Sequence, residues 1–142
     1  MRDIIVVRGG LGGLVSSILL NRRGHRVLLI EKKAYPFHRV CGEYISNETL
    51  PFLKKESLLP DHLELPSVRQ FEFTSIKGRS LQMPLDLGGF GLSRFTFDHH
   101  LFQIAEREGV EVWQRSSVSE VNFLGDHFEL TTEKGAVEQA RL

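Results

Sequence analysis

The chain has 142 residues, 41% hydrophobic and 25% charged, the profile of one folded domain. Eighteen Lys and Arg balance eighteen Asp and Glu, so no global field favours nucleic acid or an anionic membrane as partner. The single cysteine, Cys41, excludes an intrachain disulfide and fits a reducing compartment, so the expected location is cytoplasmic.

The apolar run that follows Met1-Arg2-Asp3 is broken by Arg8 and four glycines, which argues against a secretory leader. No uninterrupted apolar stretch reaches the ~20 residues of a membrane span. Residues 3–7 (Asp-Ile-Ile-Val-Val) read as a strand buried on both faces. Leu11, Leu14, Val15, Ile18 and Leu19 then recur at helical spacing. Arg22 and Arg23 suit the negative end of that helix, and Gly24 is its stop. Residues 26–30 form a second strand, ending at Glu31, and residues 34–46, with Pro36, a loop. Asn47 caps a short helix through Lys55, with Pro51 in its first turn, and residues 56–66 are a polar connection. Residues 68–76 and 80–85 form a hairpin around Lys77-Gly78, followed by a glycine-rich stretch at 87–92. A helix starts at Thr96 or Asp98, with Asp98 as an N-cap, and runs to about Glu108, where Gly109 stops it. Val110–Trp113 is a third, parallel strand, because a helix separates it from the preceding extended segment. Residues 118–124, 128–132 and 137 onward make a three-stranded meander.

The order strand, glycine turn, helix, strand, acid at the N-terminus is that of a dinucleotide-binding βαβ unit, in which N–H groups at a helix N-terminus receive a pyrophosphate. Two registers each supply two of the three G-x-G-x-x-G glycines: Arg8-x-Gly10-x-x-Gly13 and Gly10-x-Gly12-x-x-Val15. The first fits better, because the apolar strand ends at Val7 and Gly13 then stands where the helix approaches the sheet. Glu31 lies 21 residues after Gly10, close to the spacing of the acid that accepts from a ribose hydroxyl. Arg8 occupies the first glycine's place and cuts two ways. A side chain there crowds the tight turn and weakens binding, whereas a long cation beside a pyrophosphate compensates electrostatically. Weakening is the expected outcome.

Three segments carry a resemblance: Val7-Arg-Gly-Gly-Leu-Gly-Gly-Leu-Val with Gly-His-Arg-Val-Leu-Leu-Ile-Glu-Lys32, then Pro36-Phe-His-Arg-Val-Cys-Gly-Glu43, then Ser93-Arg94-Phe-Thr-Phe-Asp98-His-His-Leu101 with Ala105 and Gly109-Val-Glu-Val. Together they resemble the N-terminal part of FAD-dependent oxidoreductases, most closely the geranylgeranyl reductase-like flavoproteins. These belong with the p-hydroxybenzoate hydroxylase-type monooxygenases and the flavin halogenases. Arg39-x-Cys41-Gly42-Glu43 is the more discriminating segment. The resemblance implies that Gly10 and Gly13 face the FAD pyrophosphate and that Glu31 binds the adenosine ribose. It further implies that Arg39 lies by the pyrophosphate and isoalloxazine side, and that Cys41-Gly42 approaches the flavin ring, with Cys41 a catalytic candidate at the substrate face. Arg94 would sit near the ribityl–phosphate region, Val118 would meet the adenine through its backbone, and Gly9 and Lys32 complete the cofactor-binding set.

Plain structural readings stand beside these. Cys41 alone reads as a small buried hydrophobe, Arg94 as a surface cation at a helix entrance and Glu43 as a solvated loop carboxylate. His99 and His100 are adjacent and share no helix face, and no His, Cys or carboxylate spacing suggests a metal site. Gly125-Asp126 is a hairpin turn rather than the family's Gly-Asp flavin motif.

The expected fold class is therefore α/β: a Rossmann-like FAD/NAD(P)-binding domain with a parallel sheet, a βαβ unit and a β-meander, incomplete and carrying the start of an inserted antiparallel substrate-domain hairpin. Residues 1–66 and 86–142 are assigned to the FAD-binding domain and 67–85 to the substrate-side hairpin. The expected function is the FAD-binding portion of a geranylgeranyl reductase-like oxidoreductase acting on an apolar or aromatic small molecule, with NAD(P)H a candidate electron donor. A monooxygenase or halogenase is the alternative within enzymes, and a truncated non-catalytic nucleotide-binding fragment the alternative outside them. The ending at Arg141-Leu142, inside an apparent strand, carries the expectation of an N-terminal piece of a longer flavoprotein, inactive alone, whose unpaired sheet edges invite self-association.

Overall fold

The computed structural model describes residues 1–142. In chain order the elements are β1 (Ile4–Val7), α1 (Leu11–Arg22), β2 (Val27–Ile30), β3 (Tyr44–Ser46), a 3-10 turn (Asn47–Thr49), α2 (Leu50–Lys55), β4 (Ser67–Thr74), β5 (Ser80–Gly91), α3 (Arg94–Arg107), β6 (Glu111–Trp113), β7 (Val118–Phe123), β8 (Phe128–Thr132) and β9 (Val137–Ala140). The chain divides into two compact units, Met1–His38 with Asp98–Leu142, and Arg39–Phe97, the division falling within α3.

The first unit is built on a parallel sheet of order β1-β2-β6, with Ile4 opposite Val27 and Leu28 opposite Glu111. All four β2 residues are buried, which explains their unbroken apolar sequence. Leu14, Ser17 and Ile18 form the buried face of α1. The helix ends as its sequence indicates. Gly24 takes φ 88°, its N–H donates to Asn21 O at 2.9 Å, and His25 N–H donates to Leu20 O at 3.2 Å. Gly109, at φ 93°, stops α3 in the same way, with Val110 N–H donating to Ala105 O at 2.9 Å. Asn21 Nδ2 donates to Glu108 O at 2.9 Å, and Arg22 grips the Glu108 carboxylate through Nε and Nη2, both at 2.7 Å, so the C-terminal ends of the two helices are tied.

The meander pairs β7, β8 and β9 antiparallel, with Leu130 opposite both Val121 and Glu138. Beyond β9 the chain runs parallel along the outer edge of β1. Arg2 N–H donates to Gln139 O, Leu142 N–H to Asp3 O, and Ile5 N–H to Leu142 O. That edge is therefore paired as far as Ile5.

The second unit holds an antiparallel sheet of order β3-β5-β4. β5 absorbs most of the glycine-rich stretch at 87–92, because Gly89 leaves room for the Tyr44 ring: a Cβ there would lie 2.3 Å from Tyr44 Cε2. Further along, Phe71 faces Met83 and Phe73 faces Leu81, and all four side chains are exposed.

Three boundaries differ from expectation. β3 lies inside the segment read as a loop, since three residues carry no alternation. Ser46, not Asn47, caps the short helical segment, its Oγ accepting Glu48 N–H at 3.4 Å, while Asn47 Nδ2 donates to Leu87 O. α3 begins at Arg94, where Ser93 Oγ accepts Thr96 N–H at 3.2 Å. Asp98 is thus a helix-interior residue, only 1% exposed, and not an N-cap. No helix is long and apolar enough to cross a membrane.

Candidate functional site

At the end of β1 the chain turns sharply into α1. Arg8 makes the turn at φ 81°, the left-handed conformation that suits glycine. Its N–H still donates to Ile30 O at 2.8 Å, so pairing with β2 continues through it. Gly10 is the helix N-cap, in extended conformation. Gly13 lies against the turn itself, where a Cβ would come within 2.1 Å of the Arg8 carbonyl oxygen. These positions correspond to the Arg8-x-Gly10-x-x-Gly13 spacing.

Two side chains from beyond β2 brace the turn. Glu31, 2% exposed, accepts Gly9 N–H on Oε2 at 2.9 Å and Lys33 N–H on Oε1 at 3.0 Å. Tyr35 Oη donates to Gly9 O, and a Cβ at Gly9 would lie 1.8 Å from that hydroxyl oxygen. The Tyr35 ring stacks on Phe102 with centroids 4.5 Å apart, and its N–H donates to Gln114 Oε1 at 2.8 Å. Neither Tyr35 nor Gln114 was singled out from sequence. A tyrosine in a proline-containing loop gives no sign of its target.

A cleft of about 230 Å³ opens beside the turn, lined by Val7, Arg8, Ile30, Lys32, Ser116–Val118 and Glu133. It lies at the carboxyl ends of β1 and β2, where ligands of open parallel sheets bind. Val118 opens β7 at a break in its register with β8. Ser116, Ser117 and Glu133 were missed from sequence, because no motif marks them. Ser116 N–H donates to Glu31 O and Glu133 N–H to Ser117 O, which fix this wall to the β2 exit.

The fit of a diphosphate is set by the start of α1. No side chain caps that terminus and its first turn contains no acid. A Cβ on Gly12 would meet nothing within 4 Å. The start of α1 is therefore uncapped, free of acid and open at Gly12, and it is the positive end of the helix dipole, as an anion requires. The first unit thus brings together Gly9, Gly10, Gly13 and Glu31 at the turn, and Lys32 and Val118 in the adjoining cleft.

Arg39, Cys41, Gly42 and Arg94 belong to the second unit. Arg39 and Arg94 are half-buried, and Arg94 is the first residue of α3. Cys41 is exposed, which corrects its reading as a small buried hydrophobe: it stands in an irregular loop, its Sγ 3.4 Å from the Glu43 N–H that it accepts. Glu43 takes φ 58° and its carbonyl accepts Leu92 N–H, pinning the end of this loop to the end of β5. Gly42 has open space where a Cβ would stand. No three His, Cys, Asp or Glu side chains gather as metal ligands.

Comparison with known proteins places this geometry. The chain is 31% identical over 123 residues to the digeranylgeranylglycerophospholipid reductase of Thermoplasma volcanium, covering 80% of this chain and 30% of that protein. It is 27% identical over 136 residues to the flavin-dependent halogenase armH1 of Armillaria mellea, covering 87% of this chain and 25% of that protein. Among solved structures, p-nitrophenol 4-monooxygenase PnpA from Pseudomonas putida matches with a TM-score of 0.85 at 19% identity, over 99% of this chain and 39% of that one. Halogenase PltM in complex with phloroglucinol and FAD matches with a TM-score of 0.80 at 20% identity, over 99% of this chain and 33% of that one. The chain spans less than a third of the length of the reductase and halogenase relatives. The family model described as FAD binding domain matches residues 1–124, a stretch that runs from β1 into the turn after β7, and the chain belongs to that family, with FAD as its cofactor.

Proposed function

We propose that the chain is the FAD-binding portion of a geranylgeranyl reductase-like oxidoreductase acting on an apolar or aromatic small molecule. The observation that carries this reading is the uncapped, acid-free start of α1 beside a cleft lined by two cations. In this reading the Gly10–Gly13 turn holds the diphosphate, Glu31 receives the adenosine ribose, and Lys32 and Val118 flank the adenine end, with Gly9 keeping the turn in place. Arg39, Cys41, Gly42 and Arg94 serve the flavin side, Cys41 at the substrate face. Bound FAD supplies the redox chemistry, with NAD(P)H as electron donor; the protein's part is to hold and orient it and to exclude water.

The similarity to the Thermoplasma reductase supports the reductase type. The similarity to the Armillaria halogenase supports a second reading, a monooxygenase or halogenase. The two differ in whether electrons pass to an alkene or to dioxygen. The same reading places the protein in the cytoplasm and allows self-association through open sheet edges.

Titration of FAD into the purified 142-residue chain, followed by flavin fluorescence, tests the cofactor reading. Saturable binding with one site per chain is the expected result. Absence of binding in protein that circular dichroism finds folded would overturn it and favour a non-catalytic fragment.

A further inference from the structure

Arg8 was expected to weaken the glycine turn by crowding it. The turn is nevertheless formed around it: Arg8 adopts φ 81°, its N–H keeps its bond to Ile30 O, and Gly13 still nests on its carbonyl. What the substitution changes is the cleft. The Arg8 guanidinium is exposed and lines the cleft together with Lys32, and neither side chain has a carboxylate partner or hydrogen bond within the chain. Elsewhere in this unit three arginines are engaged by carboxylates: Arg2 pairs with Glu111, Arg22 with Glu108 and Arg26 with Asp3. The Arg8 guanidinium is unpaired and belongs to a residue two positions before the helix N-cap, the terminus suited to a diphosphate, and its planar donor fork matches phosphate oxygens.

We propose that Arg8 is a cofactor-binding residue that contacts the diphosphate, adding a side-chain cation to the backbone N–H groups of α1. The proposal rests on the FAD reading above. It accepts a conformational cost in exchange for charge. A non-glycine residue at positive φ strains the free and the bound protein alike, so the strain lowers stability without lowering affinity. Stability and affinity therefore respond differently to Arg8→Gly, and that separates the proposal from a damaged turn.

The experiment is calorimetric titration of ADP, FAD and adenosine into the native chain, Arg8→Gly and Arg8→Gln, each at two salt concentrations, with Tm recorded for all three proteins. Arg8→Gly is expected to keep or raise Tm while weakening ADP and FAD by about 3–10-fold, the range of one charge-assisted contact in a solvated cleft. Arg8→Gln, which keeps the backbone strain and loses the charge, weakens them similarly. Both variants show a shallower loss of affinity with salt, and adenosine, which has no phosphate, is unaffected. Equal or tighter ADP and FAD binding by Arg8→Gly overturns the Arg8 role while leaving the FAD site standing. An equal loss for adenosine also overturns it, since the contact would then be with the nucleoside. Failure of all three proteins to bind FAD or ADP overturns the cofactor reading, and the Arg8 role with it.

Discussion

The Glu31 carboxylate holds the Gly9 backbone: Oε2 accepts the Gly9 N–H at 2.9 Å, and Oε1 is occupied by Lys33 N–H at 3.0 Å. A residue assigned from sequence to a ribose thus braces the glycine turn. Glu31→Gln keeps the shape but leaves one carbonyl oxygen for two N–H donors. Because the site is buried, the orphaned donor costs about 1–3 kcal/mol. Urea denaturation without FAD should therefore show a lower midpoint for Glu31→Gln. An unchanged midpoint would confine Glu31 to ligand contact.

Gly12 and Gly13 are neighbours with opposite surroundings, and Ala substitutions should separate their roles. At Gly13 a Cβ meets the Arg8 carbonyl at 2.1 Å, a backbone atom that cannot swing aside. Gly13→Ala should cost about 1–3 kcal/mol as helix and strand end are forced apart. At Gly12 nothing lies within 4 Å, and the helix gains about 0.8–1 kcal/mol of propensity. Gly12→Ala should therefore be at least as stable as the native chain, yet bind FAD more weakly if the diphosphate sits on the start of α1 as proposed, because the added methyl group would enter its space. Thermal melts paired with FAD titration read both effects. A Gly12→Ala protein that binds normally would show that the diphosphate does not approach this part of the turn.

What was legible in the sequence follows from how local its causes are. β1, α1 and β2 announce themselves because buried strands need unbroken apolar runs and α1 needs its spacing, with Gly24 supplying the left-handed stop. The acid at the end of β2 stands at a fixed distance along the chain from the turn it serves, so Glu31 was visible too. Tyr35 was not, because its bond to Gly9 and its stacking on Phe102 depend on how the loop folds back. Asp98 misled because an acid near a helix start is usually a cap; here Ser93 holds that place and Asp98 is buried a turn further in. The sequence also marked Arg8 as a misfit but carried no sign that its backbone would adopt the glycine conformation regardless.

Gly9→Ala should be rescued in part by a change at Tyr35. The added Cβ would lie 1.8 Å from Tyr35 Oη and 3.1 Å from its ring carbon Cζ. The single variant must displace a ring that is stacked on Phe102, and so loses stability. Adding Tyr35→Phe removes the nearest atom and also the bond to Gly9 O, so its own cost is about 1 kcal/mol. A double-mutant cycle by urea denaturation should give a double variant more stable than the sum of the two single losses predicts. Strict additivity would mean that Tyr35 moves away freely.

Acid should loosen the base of the first unit. Asp3 accepts from Arg26 through backbone and side chain, at 2.9 and 3.2 Å, and these bonds hold its pKa down to about 2. Arg22 and Arg2 likewise hold Glu108 and Glu111 below the usual carboxylate range. A depressed carboxylate stabilises the fold fully above its unfolded pKa, and that contribution is lost as pH falls through the folded value. For Asp3 the window runs from about pH 4 down to about 2. Stability measured by denaturant midpoint should fall across this range in the native chain and fall less steeply in Asp3→Asn. Parallel slopes for the two proteins would show that the Arg26 contact is not held in solution.

The β4–β5 hairpin carries the clearest association hazard. Phe73 and Leu81 face each other across the strands at 64% and 58% exposure, and Phe71 and Met83 form the next pair at 46% and 45%. Four large apolar groups on one sheet face make a contiguous patch of the kind that drives protein–protein contact. Replacing Phe73 and Leu81 with Thr introduces the β-branching that strands favour and removes one aromatic ring and one isobutyl group of apolar surface. The cost should be small, about 0.2–1 kcal/mol for an exposed cross-strand pair. Light scattering behind a sizing column should then show the native chain associating with concentration and the double variant staying monomeric. Association that persists unchanged in the double variant would shift the cause to open strand edges. Because β1 is already paired as far as Ile5, the outer edge of β6 would be the next to block, by a charge or a proline.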